Sequence, residues 1–226
     1  MAQYWLKYGN SVLSKSGANI GITSADPHTV VIGGKIYPTV DMPDGNTWLA
    51  RNLDLTWAGL VVNPQSLLSS DPIAAYYGRD ETTYGWNGLQ YGLLYNKAAV
   101  DYLIEHASTL FPGWHVQTEL WNLYLTVGGT TYEPRTGAQA LTTTTWWADG
   151  YNGNDTYGFA LPPAGAAYVY GGSSSFAGLG TDAVQWSAEP YGDGYLTYSV
   201  YQNGMNGGYD TLGNGLRSIR LVKDSE

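Results

Sequence analysis

The sequence contains no cysteine. That absence removes disulfide bonds, thiolate metal ligands and cysteine nucleophiles together, and it leaves the redox compartment open. Charge is scarce too: 13% of the 226 residues are charged, about half of the roughly 25% usual for soluble domains. Positive charge is scarcer still, with 10 Lys and Arg against 19 Asp and Glu, a formal net charge of −9 and a pI near 4.6. A phosphate backbone would be repelled by most of such a surface, so no nucleic-acid partner is expected. No run approaches the ~18 uninterrupted apolar residues of a membrane span, so no membrane insertion is expected either. The first residues, MAQYWLKYGNSVLSKSG, lack the apolar stretch of a signal peptide.

Phenylalanine is rare, at 3 residues, yet there are 20 Tyr and 9 Trp. A disordered chain would be poor in such side chains. With 30 Gly and abundant Thr and Asn, the composition predicts many short strands joined by long loops. Residues 1–28 form an expected N-terminal attachment or oligomerisation segment, with an apolar spot at Tyr4, Trp5 and Leu6; residues 29–226 form the expected main domain.

Val30, Val31 and Ile32 lead into a Gly33-Gly34 turn, and Ile36 to Val40 should pair back as a hairpin. A further extended run is expected at Thr47 to Ala50. One helix should start at an Asn96 N-cap, present Ala99, Val100, Leu103, Ile104 and Ala107 on its buried stripe, and stop at Phe111-Pro112-Gly113. A second should be capped by Thr118, carry Glu119 in its first turn, bury Leu120, Leu123, Tyr124 and Val127, and end at Gly128-Gly129. A short third turn is expected near Ala138 to Leu141. Near the end, Leu196, Tyr198 and Val200 alternate with Tyr195, Thr197, Ser199 and Tyr201, which predicts a strand with the first set inside and the second outside. Ile219 and Leu221 alternate likewise with Ser218, Arg220 and Val222 in a closing strand.

An ordered series of motifs spans roughly residues 29–224. It comprises Val31-Ile32-Gly33-Gly34-Lys35, Trp48-Leu49-Ala50-Arg51-Asn52-Leu53, Tyr91-Gly92-Leu93-Leu94-Tyr95-Asn96, Pro112-Gly113-Trp114-His115-Val116, Tyr157-Gly158-Phe159-Ala160-Leu161-Pro162, Gln185-Trp186-Ser187-Ala188-Glu189 and Ser218-Ile219-Arg220-Leu221-Val222-Lys223-Asp224. In this series the chain resembles the FISUMP domain, a bacterial and phage branch of the C-type lectin fold. The resemblance implies an α+β fold, with two helices against twisted antiparallel sheets and long irregular loops. It also links the chain to formylglycine-generating enzymes and to the variable proteins of diversity-generating retroelements, the phage major tropism determinant among them. Gln117 stands where the family usually has Pro, and Leu221 replaces a frequent Cys.

No catalytic residues are expected. The formylglycine-generating relatives need cysteines; the related sulfoxide synthases hold iron through several histidines, whereas His28, His106 and His115 show no close ligand spacing. His115 is read as structural. Asp80 and Glu81, adjacent in sequence, should point to opposite sides of a strand. Residues 149–155 concentrate oxygen ligands, but the EF-hand spacing fails at Tyr151, so they read as a polar loop. No cofactor or metal is expected.

Residues 191–214 remain, with five Tyr among Asn, Asp, Ser and Gly. Tyr offers a large contact area with few rotamers to lose and Gly, Ser and Asn adapt, the mixture found in antibody paratopes. The expected ligand-binding residues are Tyr191, Asp193, Tyr195, Tyr201, Asn203, Asn206, Tyr209, Asp210 and Asn214, most of them on a loop after the strand. The resemblance implies that this region is diversified and that the chain is a non-enzymatic receptor-binding protein of a phage tail tip or a bacterial surface. The implied partner is a bacterial cell-surface protein or polysaccharide, and a homo-oligomer, a trimer, is expected. A glycan-binding or structural bacterial surface protein, and an enzyme of another type on the same fold, stand as alternatives.

Overall fold

The computed structural model describes residues 5–8, 11–14, 28–130, 132–148, 150–210 and 215–224. Tyr4 and residues 15–27 of the expected attachment segment therefore lie outside the described residues, as do Asp149 and Asn214. Within that segment β1 (Trp5–Tyr8) pairs antiparallel with β2 (Ser11–Ser14).

The expected Gly-Gly hairpin forms. Ile32 pairs with Lys35 across Gly33 and Gly34, whose φ values of 55° and 77° favour residues without a Cβ, and joins β3 (Thr29–Ile32) to β4 (Lys35–Asp41). β5 (Thr47–Leu49) continues the sheet. After it, β6 (Val61–Val62), β7 (Ile73–Ala75) and β8 (Leu94–Tyr95) make a small sheet of their own. Between β7 and β8 lies the short α1 (Glu81–Tyr84), capped by Asp80, whose Oδ1 accepts the Thr83 N–H at 3.0 Å. Asp80 and Glu81 thus begin a helix rather than flank a strand. The Thr83 hydrogen bonds hold the Asp80 carboxyl below its usual range.

Asn96 caps α2 (Lys97–Glu105) as expected, its Oδ1 accepting the Ala99 N–H at 3.0 Å. The helical stripe ends sooner than its spacing predicts. The chain breaks at His106 and restarts as α3 (Ala107–Leu110), leaving Ile104 37% exposed. β9 (His115–Val116) follows, then α4 (Leu120–Thr126). Its expected stripe is buried, but the N-cap position is held by Glu119, expected in the first turn, rather than by Thr118. Glu119 makes no side-chain cap bond; the Leu120 N–H is served by Gln117 instead. Gln117 Oε1 accepts the Leu120 N–H at 2.9 Å, while Nε2 donates to Trp186 O at 2.7 Å. The short turn expected near Ala138 is a full helix, α5 (Pro134–Leu141), opened by its proline.

The remaining strands are β10 (Ala164–Tyr170), β11 (Ser173–Leu179), β12 (Asp182–Tyr191), β13 (Gly194–Tyr201), β14 (Gly204–Asp210), β15 (Gly215–Leu216) and β16 (Leu221–Lys223). The larger sheet runs β11-β10-β12-β13-β14, with β15 also on β10; a five-stranded sheet runs β3-β4-β5-β16-β9. The chain is α+β and mostly sheet.

Strand alternation decides where the core sits. Leu49, Leu221 and Trp186 pack into one apolar cluster with α2, while their neighbours Trp48 and Val222 join Tyr198, Val200, α4 and α5 in a second. The strands therefore partition two cores, and β16 is buried on both faces. Just before β16, Arg220 is wholly buried. Its Nη1 donates to Leu49 O at 2.7 Å and Phe159 O at 2.8 Å, its Nη2 donates to Asn52 Oδ1 at 3.1 Å, and its guanidinium lies 4.6 Å from the Phe159 ring centroid.

Candidate functional site

β12, β13 and β14 form an antiparallel meander. Tyr191 faces Gly194 across the first turn, and Tyr201 faces Gly204 across the second, whose tip is Gln202-Asn203. The segment expected as a loop is therefore β14, the outer strand of its sheet. Its sequence, GMNGGYD, has little intrinsic strand preference. It is held by β13 on one side and by α5 below, where Met205 is buried in the second core. At Gly204 φ is 148°, and an added Cβ would lie 2.8 Å from Pro134 Cβ, so a glycine lets the hairpin rest on α5.

The alternation along β13 is only half followed. Leu196, Tyr198 and Val200 do pack on the second core. Tyr195, expected to point outward, instead turns toward the other core: its hydroxyl donates to Asp101 Oδ1 at 2.8 Å, and Lys97 Nζ lies 5.4 Å from its ring centroid. Burial together with the Asp101 carboxylate pushes its phenol up to about 12. Thr197, also expected outside, is buried. A central strand has two covered faces, and α2 lies over this one.

Beyond the reach of α2 the same face opens. Ser199 and Tyr201 are half-buried, Asn203 and Asn206 are exposed, and Asp182 lies opposite Tyr201 on β12. The Tyr201 hydroxyl donates to Asn206 Oδ1 at 3.3 Å, and the Ser199 hydroxyl donates to Asp182 Oδ1 at 3.4 Å. Gln202 Nε2 donates to Gly150 O at 2.8 Å, which pins the hairpin tip to the loop below. Tyr191, 49% exposed, and Asp193 occupy the opposite end of β13, seven residue steps or roughly 23 Å away at ~3.3 Å per residue. In the strand register Tyr209 and Asp210 pair with Leu196 and Tyr195 toward that end. The expected residues thus divide into two patches rather than one surface.

On the reverse face Tyr198 stacks on Trp121 of α4, ring centroids 6.3 Å apart, and its hydroxyl donates to Glu189 Oε2 at 3.4 Å. Burial and the Glu189 charge push this phenol up to about 12 as well. Trp121 is itself 38% exposed.

A further Tyr/Ser surface escaped the sequence reading. At the β10–β11 hairpin Tyr168 and Tyr170 stand exposed opposite Ser175 and Ser173 across a Gly171-Gly172 turn, while Val169 between them is buried. The alternation in Tyr-Val-Tyr-Gly-Gly-Ser-Ser-Ser carried that signal. His115, expected to be structural, is half-exposed and meets Asp224 and Glu119. Among the described residues no helix is long and apolar enough to cross a membrane. Compared with known protein families, with curated proteins and with solved structures, the chain matches none.

Proposed function

We propose that this chain is a non-enzymatic ligand-binding protein that displays the β13–β14 hairpin to a bacterial cell-surface receptor, as a phage tail-tip or retroelement-diversified variable protein of the C-type lectin fold would. The observation that carries this is the contrast within one hairpin. Gly204 and Met205 are fixed against α5, whereas Asn203 and Asn206 next to them are exposed and the Tyr201 hydroxyl donates to Asn206. Side chains at such positions can change without disturbing the core, as a contact surface under selection for variety requires. In further support, distant motif segments meet in the scaffold: Asn52 Oδ1 accepts from both Arg220 and Gln185, and Trp186 Nε1 donates to Tyr95 O at 2.7 Å. Asp182 beside the patch and the net charge of −9 favour a neutral or basic epitope over an anionic one.

The test is capture of intact cells from a panel of bacterial strains by immobilised protein. The wild type should retain at least one strain, and Tyr201→Ala/Asn206→Ala should retain about tenfold fewer cells, the loss expected for ~1.4 kcal/mol of contact energy. Equal capture by both proteins, or capture of no strain, contradicts the proposal.

A further inference from the structure

His115, Glu119 and Asp224 come together at one end of the five-stranded sheet, and one ligand-capable atom from each lies within 4.8 Å of the other two. Three elements deliver them. His115 opens β9, Glu119 directly precedes α4, and Asp224 directly follows β16. β9 and β16 pair with His115 opposite Val222, so histidine and aspartate share one rigid frame.

The imidazole has a defined orientation. Nδ1 lies 3.1 Å from Val116 O, and a carbonyl oxygen only accepts, so Nδ1 carries a hydrogen. In the neutral ring Nε2 then bears the lone pair, and Nε2 lies 3.3 Å from Asp224 Oδ1. Two lone-pair atoms at that separation repel unless a cation stands between them, either a proton or a metal ion. The Glu119 carboxylate is held in turn: the Thr118 N–H donates to Oε2 at 2.7 Å and the Thr118 hydroxyl donates to Oε1. Metal-ligating histidines commonly donate their second N–H to a backbone carbonyl, and ligating carboxylates are themselves hydrogen-bonded. This cluster has both features.

We infer that His115, Glu119 and Asp224 bind one divalent transition-metal cation of the Zn2+ type, with water completing its coordination. An imidazole with two carboxylates suits such a borderline ion, whereas Ca2+ takes six to eight oxygen ligands. Nothing in the proposed receptor contact requires this ion. It would tie the end of the closing strand to β9 and to the start of α4, so its readout is stability as well as binding.

The experiment uses the untagged chain, stripped with a chelator and titrated with Zn2+ by calorimetry and by competition against a chromogenic indicator, with Ca2+ and Mg2+ alongside. The expected result is one Zn2+ per chain, no comparable Ca2+ or Mg2+ binding, and a rise in Tm on adding Zn2+. His115→Ala and Asp224→Asn should each weaken Zn2+ binding about tenfold or more and abolish the Tm rise, while His106→Ala leaves both intact. Because Asp224 is exposed beyond the last strand, its variant tests the site even if His115→Ala fails to fold. Absence of Zn2+ binding, or equal binding by wild type and Asp224→Asn, overturns the inference and leaves a proton-bridged histidine–aspartate pair.

Discussion

The Tyr195 hydroxyl donates to Asp101 Oδ1 at 2.8 Å, across 94 residues of chain, and so fastens β13 to α2. Asp101 also accepts from Lys97 Nζ at 2.8 Å. A tyrosine that composition offers as a contact residue is therefore a strut. Tyr195→Phe keeps the ring under Lys97 and loses only the hydroxyl; it should cost about 1 kcal/mol in thermal unfolding and leave cell capture unchanged. A large loss of capture with no loss of stability would return Tyr195 to the contact surface.

Arg220 carries a heavy buried polar load. Replacing it with leucine leaves the Leu49 and Phe159 carbonyls and Asn52 Oδ1 without its donors inside the core. The expected loss is about 3–5 kcal/mol, read as a lower denaturant midpoint at an unchanged slope. A change below ~1 kcal/mol would mean that the core reorganises around the gap.

Gln117 joins the two large sheets while its side chain accepts from the first N–H of α4. Its backbone N–H donates to Arg220 O, its carbonyl accepts from Ala188 N, and its side chain bridges Leu120 N and Trp186 O. Gln117→Ala should cost about 1–3 kcal/mol, because the Leu120 N–H and the Trp186 carbonyl would both lose a partner. Gln117→Pro should cost more, since it also removes the N–H donated to Arg220 O. Retention of wild-type stability by the proline variant would show that the capping geometry is dispensable.

Asp155 sets a pH dependence. Burial pushes its carboxyl from 3.8 up to about 6, even though it accepts the Ala160 N–H at 2.8 Å and lies near the Arg220 charge. The folded state then binds the proton more tightly than the unfolded state. This residue's effect is therefore neutral below pH ~4, grows more destabilising between about 4 and 6, and stays constant above. Asp155→Asn should raise Tm above pH 6 by a few degrees relative to wild type and change it little at pH 3.5. An equal Tm difference at both pH values would contradict that assignment.

What the sequence made legible were the features that depend on neighbours in the chain. The Gly33-Gly34 turn, the Asn96 cap and the Leu120-Leu123-Tyr124-Val127 stripe all rest on local geometry, and all three form. The Thr118 cap failed because a side chain one position earlier could reach Leu120 N and a distant carbonyl at once, a choice made by tertiary packing. Alternation on β13 separates the two faces correctly but carries no sign that α2 covers one of them, so it predicts Tyr195 and Thr197 outside where the structure turns them inward. Arg220 and the His115–Asp224 contact involve partners 60 to 171 residues away, beyond the reach of any local pattern.

The central claim is that the Tyr201–Asn206 end of the meander touches the receptor. Single alanine variants at Ser199, Tyr201, Asn203 and Asn206, with Tyr168→Ala and Tyr170→Ala on the β10–β11 hairpin as a competing surface, should be compared for cell capture at matched folded concentration. Capture should fall at the first four positions and hold at the other two. If it falls at Tyr168 and Tyr170 instead, or stays level across all six, the contact lies elsewhere.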